Sequence, residues 1–566
     1  MKKNILFLIS TFIFGVYLSA QIPAFDWARE MGGATIDRGK SIAIDGLGNV
    51  YTTGTFTGSA DFDPGVGVVT LTSAGMEDIF IQKLDPIGNL VWAKSIGGTN
   101  NDEGLAIVAS ASGEVFVTGF FDQTVDFDPG AGNVPMTSAG YDDFFLLKLD
   151  ASGNFAWVKT IGEVAYESGS AITLDGAGNI FVAGYYDNTA DFDPGAGTAN
   201  LTVVSADDVF ILKLDAAGNY VWAKSIGGYY SEGVNSIDLD GNGNVLIAGV
   251  SNGQVDFDPG PGSYLINGLG MSDAYILKLD PSGNFIWAKT VGGSQFDHAY
   301  DMQTDASGNV YVCGYYYGAS ADFDPGSGTD IHTNAGFEDI FILKLDNNGN
   351  YRWAKTMGES ASGEIAYALA VDDSANVYTT GYFYGTIDFD PGVGTTNLTS
   401  TGNDDIFMQK LDSSGNFVFA YKIGGTGVDA TTALIIDTQG NLYSTGYSNA
   451  TVDFDQGNGT NNLTSAGSDD AFIHKTGVTF DGVTETNNRI DFSLYPNPSN
   501  GTIALQFENT PDKIHVEISD LSGKLIKSED FSQLSLITMQ LDLVPGMYFA
   551  TVSIDDEKSV RKIICR

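Results

Sequence analysis

Seven near-copies of one segment, each about 65 residues long, fill the chain from Trp27 to Gly477 and run out of phase with its ends. An Asp-Phe-Asp marker starts at Asp61, Asp126, Asp191, Asp256, Asp322, Asp388 and Asp453, in steps of 65 or 66 residues. A period of that size belongs to a repeat architecture. The first copy opens on a Trp-bearing segment, Trp27-Ala28-Arg29, and the last stops at His474-Lys475, just before another such segment would follow. A closed ring whose N-terminal strand completes its last sheet needs that permuted count. An open solenoid does not explain it.

Within one copy the pattern predicts four strands, a to d: Ser41–Asp45, Asn49–Phe56, Asp78–Leu84 and Asn89–Ile96. They are rich in Val, Ile, Phe, Tyr and Trp and are separated by turn residues. The a–b and c–d links, Asp45-Gly46-Leu47-Gly48-Asn49 and Asp85-Pro86-Ile87-Gly88-Asn89, suit tight hairpins. Asp can bond the backbone ahead of it, and Gly accepts the left-handed conformation. Four antiparallel strands in each of seven copies give an all-β, seven-bladed β-propeller over residues 21–477. Trp27, Trp92, Trp157, Trp222, Trp287 and Trp353, with Phe419 in the seventh place, mark strand d and read as apolar payload between neighbouring blades.

Charge is uneven. Of the formal net of −44, residues 487–566 hold −3 and the first twenty residues +2, so residues 21–486 hold −43, nearly all of it in the repeats. Their Lys and Arg residues fall almost wholly at two fixed repeat positions, the Arg29/Lys94 series and the Lys83/Lys148 series. Only Arg38, Lys40 and Arg352 lie outside. A phosphate or nucleic-acid site has nothing to stand on. Lys2 and Lys3 precede an apolar run ending at Leu18, and Ser19-Ala20-Gln21 offers a small-residue cleavage site, so residues 1–20 read as a secretory signal peptide. No later stretch is long and apolar enough to form a transmembrane segment. The two cysteines, Cys313 and Cys565, fall in different predicted domains, and Cys313 reads as a small buried filler.

Strand alternation sends the short a–b and c–d turns to one face, and the long b–c insertions and d–a loops to the other. Long loops on a rigid frame are where binding usually lives. That second face is expected to be acidic. Strand c starts there with Asp78, Asp143, Asp208, Asp273, Asp339, Asp405 or Asp470, and the d–a loops add Asp37, Asp102, Glu103, Glu167, Glu232, Asp297, Glu364 and Asp429. Each b–c insertion brings a carboxylate pair: Asp61 and Asp63, Asp126 and Asp128, Asp191 and Asp193, Asp256 and Asp258, Asp322 and Asp324, Asp388 and Asp390, Asp453 and Asp455. These fourteen are the candidate calcium ligands, because flexible loops rich in carboxylate oxygen suit that ion. Asp63-Pro64-Gly65 is also a good turn in its own right. The seventh copy keeps its Asp pair although Gln456 replaces the Pro.

Aromatic runs follow strand b at Phe120-Phe121, Tyr185-Tyr186, Tyr315-Tyr316-Tyr317 and Tyr382-Phe383-Tyr384. They either anchor the long loops or stack on a ligand such as a glycan. Residues that break the repeat, His298 with Tyr300, His332 and Arg352, are the asymmetric candidates for chemistry. No Ser-His-Asp or metal-ligand spacing accompanies them, so no catalytic residue is assigned. The leading reading is an adhesion-type scaffold that recognises a glycan or protein through its acidic loop face. The alternative is a polysaccharide-active hydrolase or lyase using acidic-face carboxylates.

The strand-c Asp-x-Phe, the Leu-Asp-x-x-Gly-Asn turn, the Gly-Gly after strand d and the Asp-x-x-Gly-Asn-Val-Tyr run into strand b resemble the bacterial SBBP β-propeller repeat family. The resemblance implies a fold and a surface location, with no single activity. Composition changes after Gly477. Residues 478–490 read as a polar linker, and residues 491–566 as a small Ig-like β-sandwich with strands near Thr502–Phe507, Lys513–Ser519, Lys524–Phe531, Leu536–Leu541 and Met547–Ile554. This module resembles the type A C-terminal sorting domain of the type IX secretion system. The carrying residues include Tyr495, Pro496, Asn497, Pro498, Gly501, Asp520-Leu521-Ser522-Gly523-Lys524, Gly546 and Tyr548. The resemblance implies outer-membrane secretion machinery as a partner, removal of the tail, and release or attachment at the cell surface.

Overall fold

The computed structural model describes residues 22–359, 363–457, 459–477, 492–495, 501–507, 510–520, 525–541, 546–554 and 557–565. The expected signal peptide, the linker and Pro496 to Pro498 lie outside them. Two compact units divide at residues 479 and 480. Every assigned element is a β-strand, and among the described residues no helix is long and apolar enough to cross a membrane.

The first sheet sets the pattern for the larger unit. Asp37–Ile44, Val50–Phe56, Asp78–Leu84 and Leu90–Ile96 pair antiparallel in chain order. Strand a begins earlier than its sequence suggests and carries a bulge between Gly39 and Ser41. Seven such four-stranded sheets are present among the described residues. The last is completed from the N-terminus: Ala24–Gly33 pairs with Asp470–Gly477, Trp27 opposite Lys475. One polar cavity of about 220 Å³ touches the a strand of every sheet, from Lys40 and Leu105 through Ser170, Asn235, Tyr300 and Tyr367 to Thr432. The seven a strands therefore surround a common channel, which is the geometry of a propeller.

Neighbouring sheets are bolted together at the c–d turns. Trp27 Nε1 donates to Pro86 O at 3.3 Å, and Lys475 Nζ donates to the same carbonyl at 3.2 Å, which closes the seventh sheet onto the first. Trp92, Trp222, Trp287 and Trp353 repeat the bond at the next seams. Gly88 serves this joint twice. Its φ of +82° closes the turn, and a Cβ there would run into the Trp27 ring and Arg29. The framework lysines are largely used up here as well, with Lys83, Lys213, Lys344 and Lys410 lying 4.5–4.8 Å from aromatic ring centres.

The b–c insertion, which the sequence pattern predicts as a loop, holds structure of its own. Ser59–Asp61 and Thr70–Thr72 form a short hairpin. It joins the outer strand of the preceding sheet, with Gly32 opposite Asp61 and Gly33 opposite Ala60. The same cross-sheet pairing recurs at Gly227 and Asp256 and at Gly292 and Asp322. The Phe of each Asp-Phe-Asp marker is the anchor: Phe62 is buried between Phe56 and Phe80, ring centres 5.4 and 4.9 Å away. Three-residue strands are too short for periodicity to separate them from loop.

The smaller unit is a two-sheet sandwich. Phe492–Tyr495, Thr502–Phe507 and Leu536–Gln540 form one sheet. Leu525–Phe531, Ile514–Asp520, Gly546–Ile554 and Glu557–Cys565 form the other. Ile503, Leu505, Val516, Ile518, Ile537, Met539 and Val552 interlock in one core between them. The first and last strands lie beyond the five that the sequence predicts.

Candidate functional site

Most of the carboxylates expected on the loop face are inside the protein. Asp37, Asp102, Glu167, Glu364 and Asp429 have no exposed surface, and the strand-c aspartates are at most 4% exposed. They hold loops by accepting backbone amides. Asp78 Oδ2 takes Ala74 N–H at 2.8 Å, Asp102 Oδ2 takes Gly98 N–H at 2.6 Å and Oδ1 takes Asp122 N–H at 3.0 Å. The two series face each other across the Gly-Gly that ends strand d. A Cβ on Gly292 would meet Asp297 Oδ2 and Asp273 Oδ1 together. Burial pushes Asp78 up to about 6 and Asp102 and Asp143 to about 7. Burial likewise raises Glu167 and Asp297 to about 7. Sequence spacing placed these groups at the correct end of the sheet but not at its surface, because loop amides without strand partners draw carboxylates inward.

The candidate calcium ligands also support the backbone. Asp61 Oδ1 accepts Asp63 N–H at 3.0 Å and Val69 N–H at 2.8 Å, and Asp63 Oδ1 accepts Gly65 N–H at 2.8 Å. The arrangement repeats at Asp126 and Asp128, at Asp191 and Asp193, at Asp256 and Asp258, and at Asp322 and Asp324. It recurs again at Asp388 and Asp390 and at Asp453 and Asp455. A calcium ion at these hairpins would have to use the Oδ2 atoms. Among the described residues no group of three or more His, Cys, Asp or Glu side chains is placed to hold a metal ion.

The loop-face mouth of the channel is where the sevenfold pattern breaks. Strand alternation splits each aromatic run after strand b. Phe121, Tyr186, Tyr316 and Phe383 are fully buried and anchor the sheet, whereas Tyr185, Tyr315 and Tyr382 are half-buried beside the mouth. Tyr300 and Tyr367, the extra residues at the a-strand bulges, lie with ring centres 4.8 Å apart. Tyr300 is 6.0 Å from Tyr315, and Tyr367 is 5.7 Å from Tyr382. His298 packs against Tyr315, ring centres 4.9 Å apart and tilted by 38°, with Nε2 3.0 Å from Ser272 Oγ. Burial lowers its pKa. On the opposite flank Arg38 covers Tyr447 at 4.6 Å and is paired with Asp469. Lys40 stands 3.8 Å from Glu103. Two of the three basic residues outside the repeat pattern, Arg38 and Lys40, and the His298/Tyr300 pair thus meet at one opening, which no spacing along the chain foretells.

The other asymmetric residues do not join them. His332 lies on the b–c hairpin of its copy, bonded to Thr356 Oγ1 at 2.8 Å and Asp330 Oδ2 at 3.1 Å. Arg352 pairs with Asp346 at a c–d turn. Cys313 is completely buried, its Sγ 3.7 Å from Ala366 O. In the sandwich, Gly501 has φ +92° and its carbonyl accepts Leu541 N–H at 2.6 Å. Tyr548 is buried, Tyr495 is exposed, and Gly546 opens its strand.

Residues 26–63 match the model of a β-propeller repeat, SBBP, and residues 493–566 match that of the secretion system C-terminal sorting domain. The chain is 24% identical over 507 residues to the "Uncharacterized WD repeat-containing protein L264" of Acanthamoeba polyphaga mimivirus, covering 76% of this chain and 36% of that protein. It is 23% identical over 401 residues to the "Regulatory protein FlaEY" of Caulobacter vibrioides, covering 66% and 39%. The chain therefore spans little more than a third of the length of these curated relatives. Sqt1 from Chaetomium thermophilum aligns over 81% of this chain and all of its own, at 11% identity and a TM-score of 0.36. Dimeric latent PorU from Porphyromonas gingivalis aligns over 63% of this chain and 31% of its own, at 12% identity and a TM-score of 0.12. The chain carries SBBP-type propeller repeats followed by a type IX C-terminal sorting domain, and is a protein exported to the cell surface or beyond it.

Proposed function

We propose that this exported propeller is a binding scaffold that takes its ligand at the loop-face mouth of the channel. The carrying observation is the crescent of Tyr300, Tyr315, Tyr367, Tyr382 and Tyr447 with His298 and Arg38, which departs from the repeat at one place. Half-buried tyrosines on rigid strands supply contact area at low entropic cost, and the polar groups beside them orient a ligand. A glycan or a protein surface fits this mouth. For the hydrolase or lyase alternative, the strand-c aspartates and most of the d–a carboxylates are buried and bonded to loop amides. That leaves Asp207, Glu338, Asp404 and Asp469, each just before a strand-c aspartate, as its candidates.

The test is binding and turnover by the full chain on a panel of surface polysaccharides and proteins. A ligand whose binding falls in Tyr300→Ala/Tyr367→Ala, with no product formed, supports the scaffold. Turnover abolished by one carboxylate substitution would establish the enzyme instead. Calcium enters the proposal as a brace of the Asp61/Asp63-type hairpins. A thermal melt of the full chain in EDTA and then in millimolar calcium, with magnesium as control, should show a calcium-specific rise. No shift would assign those pairs to turn closure alone.

A further inference from the structure

The chain contains one occupied example of an arrangement whose aromatic and carboxylate recur around the channel mouth. At the seam between the seventh and first sheets, Arg38 lays its guanidinium 4.6 Å from the ring centre of Tyr447 and donates Nε to Asp469 Oδ2 at 2.8 Å, with a second bond from Nη2. Tyr447 follows the glycine in strand b, and Asp469 immediately precedes the buried aspartate that starts strand c. A guanidinium over an aromatic ring that also bonds a carboxylate through two of its nitrogens is an arrangement that arginine favours.

Repeat geometry brings the corresponding positions together at every seam. His298, equivalent to Arg38, reaches back to Ser272, equivalent to Asp469, at 3.0 Å. Lys40 and Glu103 occupy the seam that follows the first sheet. Four other seams keep an aromatic and a carboxylate; in two of them the pair is Tyr with Asp, as at Tyr447 and Asp469, and the facing residue is Gly or Ala. Tyr185 and Asp207 are faced by Gly233, and Tyr382 and Asp404 by Ala430. Gly233 has open space around it apart from Val250. Residues 21–486 carry −43, nearly all of it in the repeats, with few basic residues outside the framework, so the face attracts cations and repels anions.

We propose that the Tyr185/Asp207 and Tyr382/Asp404 seams are receptor sites for arginine side chains of a basic polypeptide, with Arg38 on Tyr447 and Asp469 as the built-in copy of the bound state. This rests on the mouth being the binding site and names its partner class. Each pocket takes one guanidinium, and two pockets on one rim reward a partner with several arginines.

The test is fluorescence anisotropy of a labelled hexa-arginine peptide with the full chain, at low and at moderate salt. Asp207→Asn/Asp404→Asn and Tyr185→Leu/Tyr382→Leu should each weaken binding at least tenfold, and Tyr185→Phe/Tyr382→Phe should retain it. Gly233→Arg, at the half-buried position facing Tyr185 and Asp207, supplies an internal guanidinium and should block one pocket. Glu114→Gln/Asp373→Asn makes the same charge change at the a–b turns and should leave affinity within twofold. Equal loss in that control, or equal binding of hexa-lysine with no effect of the Tyr→Leu pair, would reduce the effect to general charge attraction and overturn the proposal. A neutral oligosaccharide that binds through Tyr300 and Tyr367 while hexa-arginine does not would overturn the cationic class and leave the mouth as the binding site.

Discussion

Replacing Glu167 by Gln should make the propeller progressively more stable than the wild type as pH rises from 5 to 8. Glu167 has no exposed surface, and its Oε2 accepts Glu163 N–H at 3.1 Å while Oε1 has no donor. Burial, with Asp143, Glu163 and Asp187 nearby, raises its pKa from 4.5 to about 7. A raised folded pKa means that the native state binds more protons than the unfolded chain, so its contribution is fully present below pH 4.5 and is lost as pH climbs through 7. At 1.4 kcal/mol per pKa unit, the wild type loses up to about 2.5 kcal/mol between pH 5 and 8 through this one group. Asp143, itself raised to about 7, relaxes once its neighbour is neutral, so that figure is an upper limit. Gln preserves the acceptor for Glu163 N–H and removes the ionisation. The assay is urea unfolding of the full chain followed by tryptophan fluorescence at several pH values. All six tryptophans lie between Trp27 and Trp353, so the sorting domain is silent. A stability difference that stays flat across that range would refute the buried-carboxylate account.

Phe389→Ala should cost about 3–5 kcal/mol in the same urea assay. Its ring is fully buried between Phe383 and Phe407, with centres 5.3 and 4.9 Å away. A chain whose mature form begins after Gly33 should melt much lower and associate through the bared edge of Asp470–Gly477, which size-exclusion chromatography would reveal; a monomer with unchanged melting would contradict closure by the N-terminal strand.

The repeat period, the four strands of each copy, the Asp-to-Asn turns and the strand borrowed from the N-terminus were all legible in the chain. Each is a local or periodic property: alternation along a strand, Gly where φ must be positive, and a count of segments out of phase with the ends. The C-terminal module was legible as a small sandwich from its short strands, but as a sorting domain only through its resemblance to a known family, carried by residues such as Tyr495, Gly501, Gly546 and Tyr548. Local pattern stopped short at the b–c hairpins, whose three-residue strands gain their identity by pairing with the preceding sheet. It also stopped short at the carboxylates. Asp78 and Asp102 look like surface acids in sequence, and only the unpaired loop amides around them draw them inside. Tertiary structure alone decided the mouth. Arg38 and Asp469 are 431 residues apart, and they meet because ring closure sets the first sheet against the seventh. A sequence records which way each side chain leaves its own strand; which strand ends converge on one opening depends on packing seven sheets about a common axis.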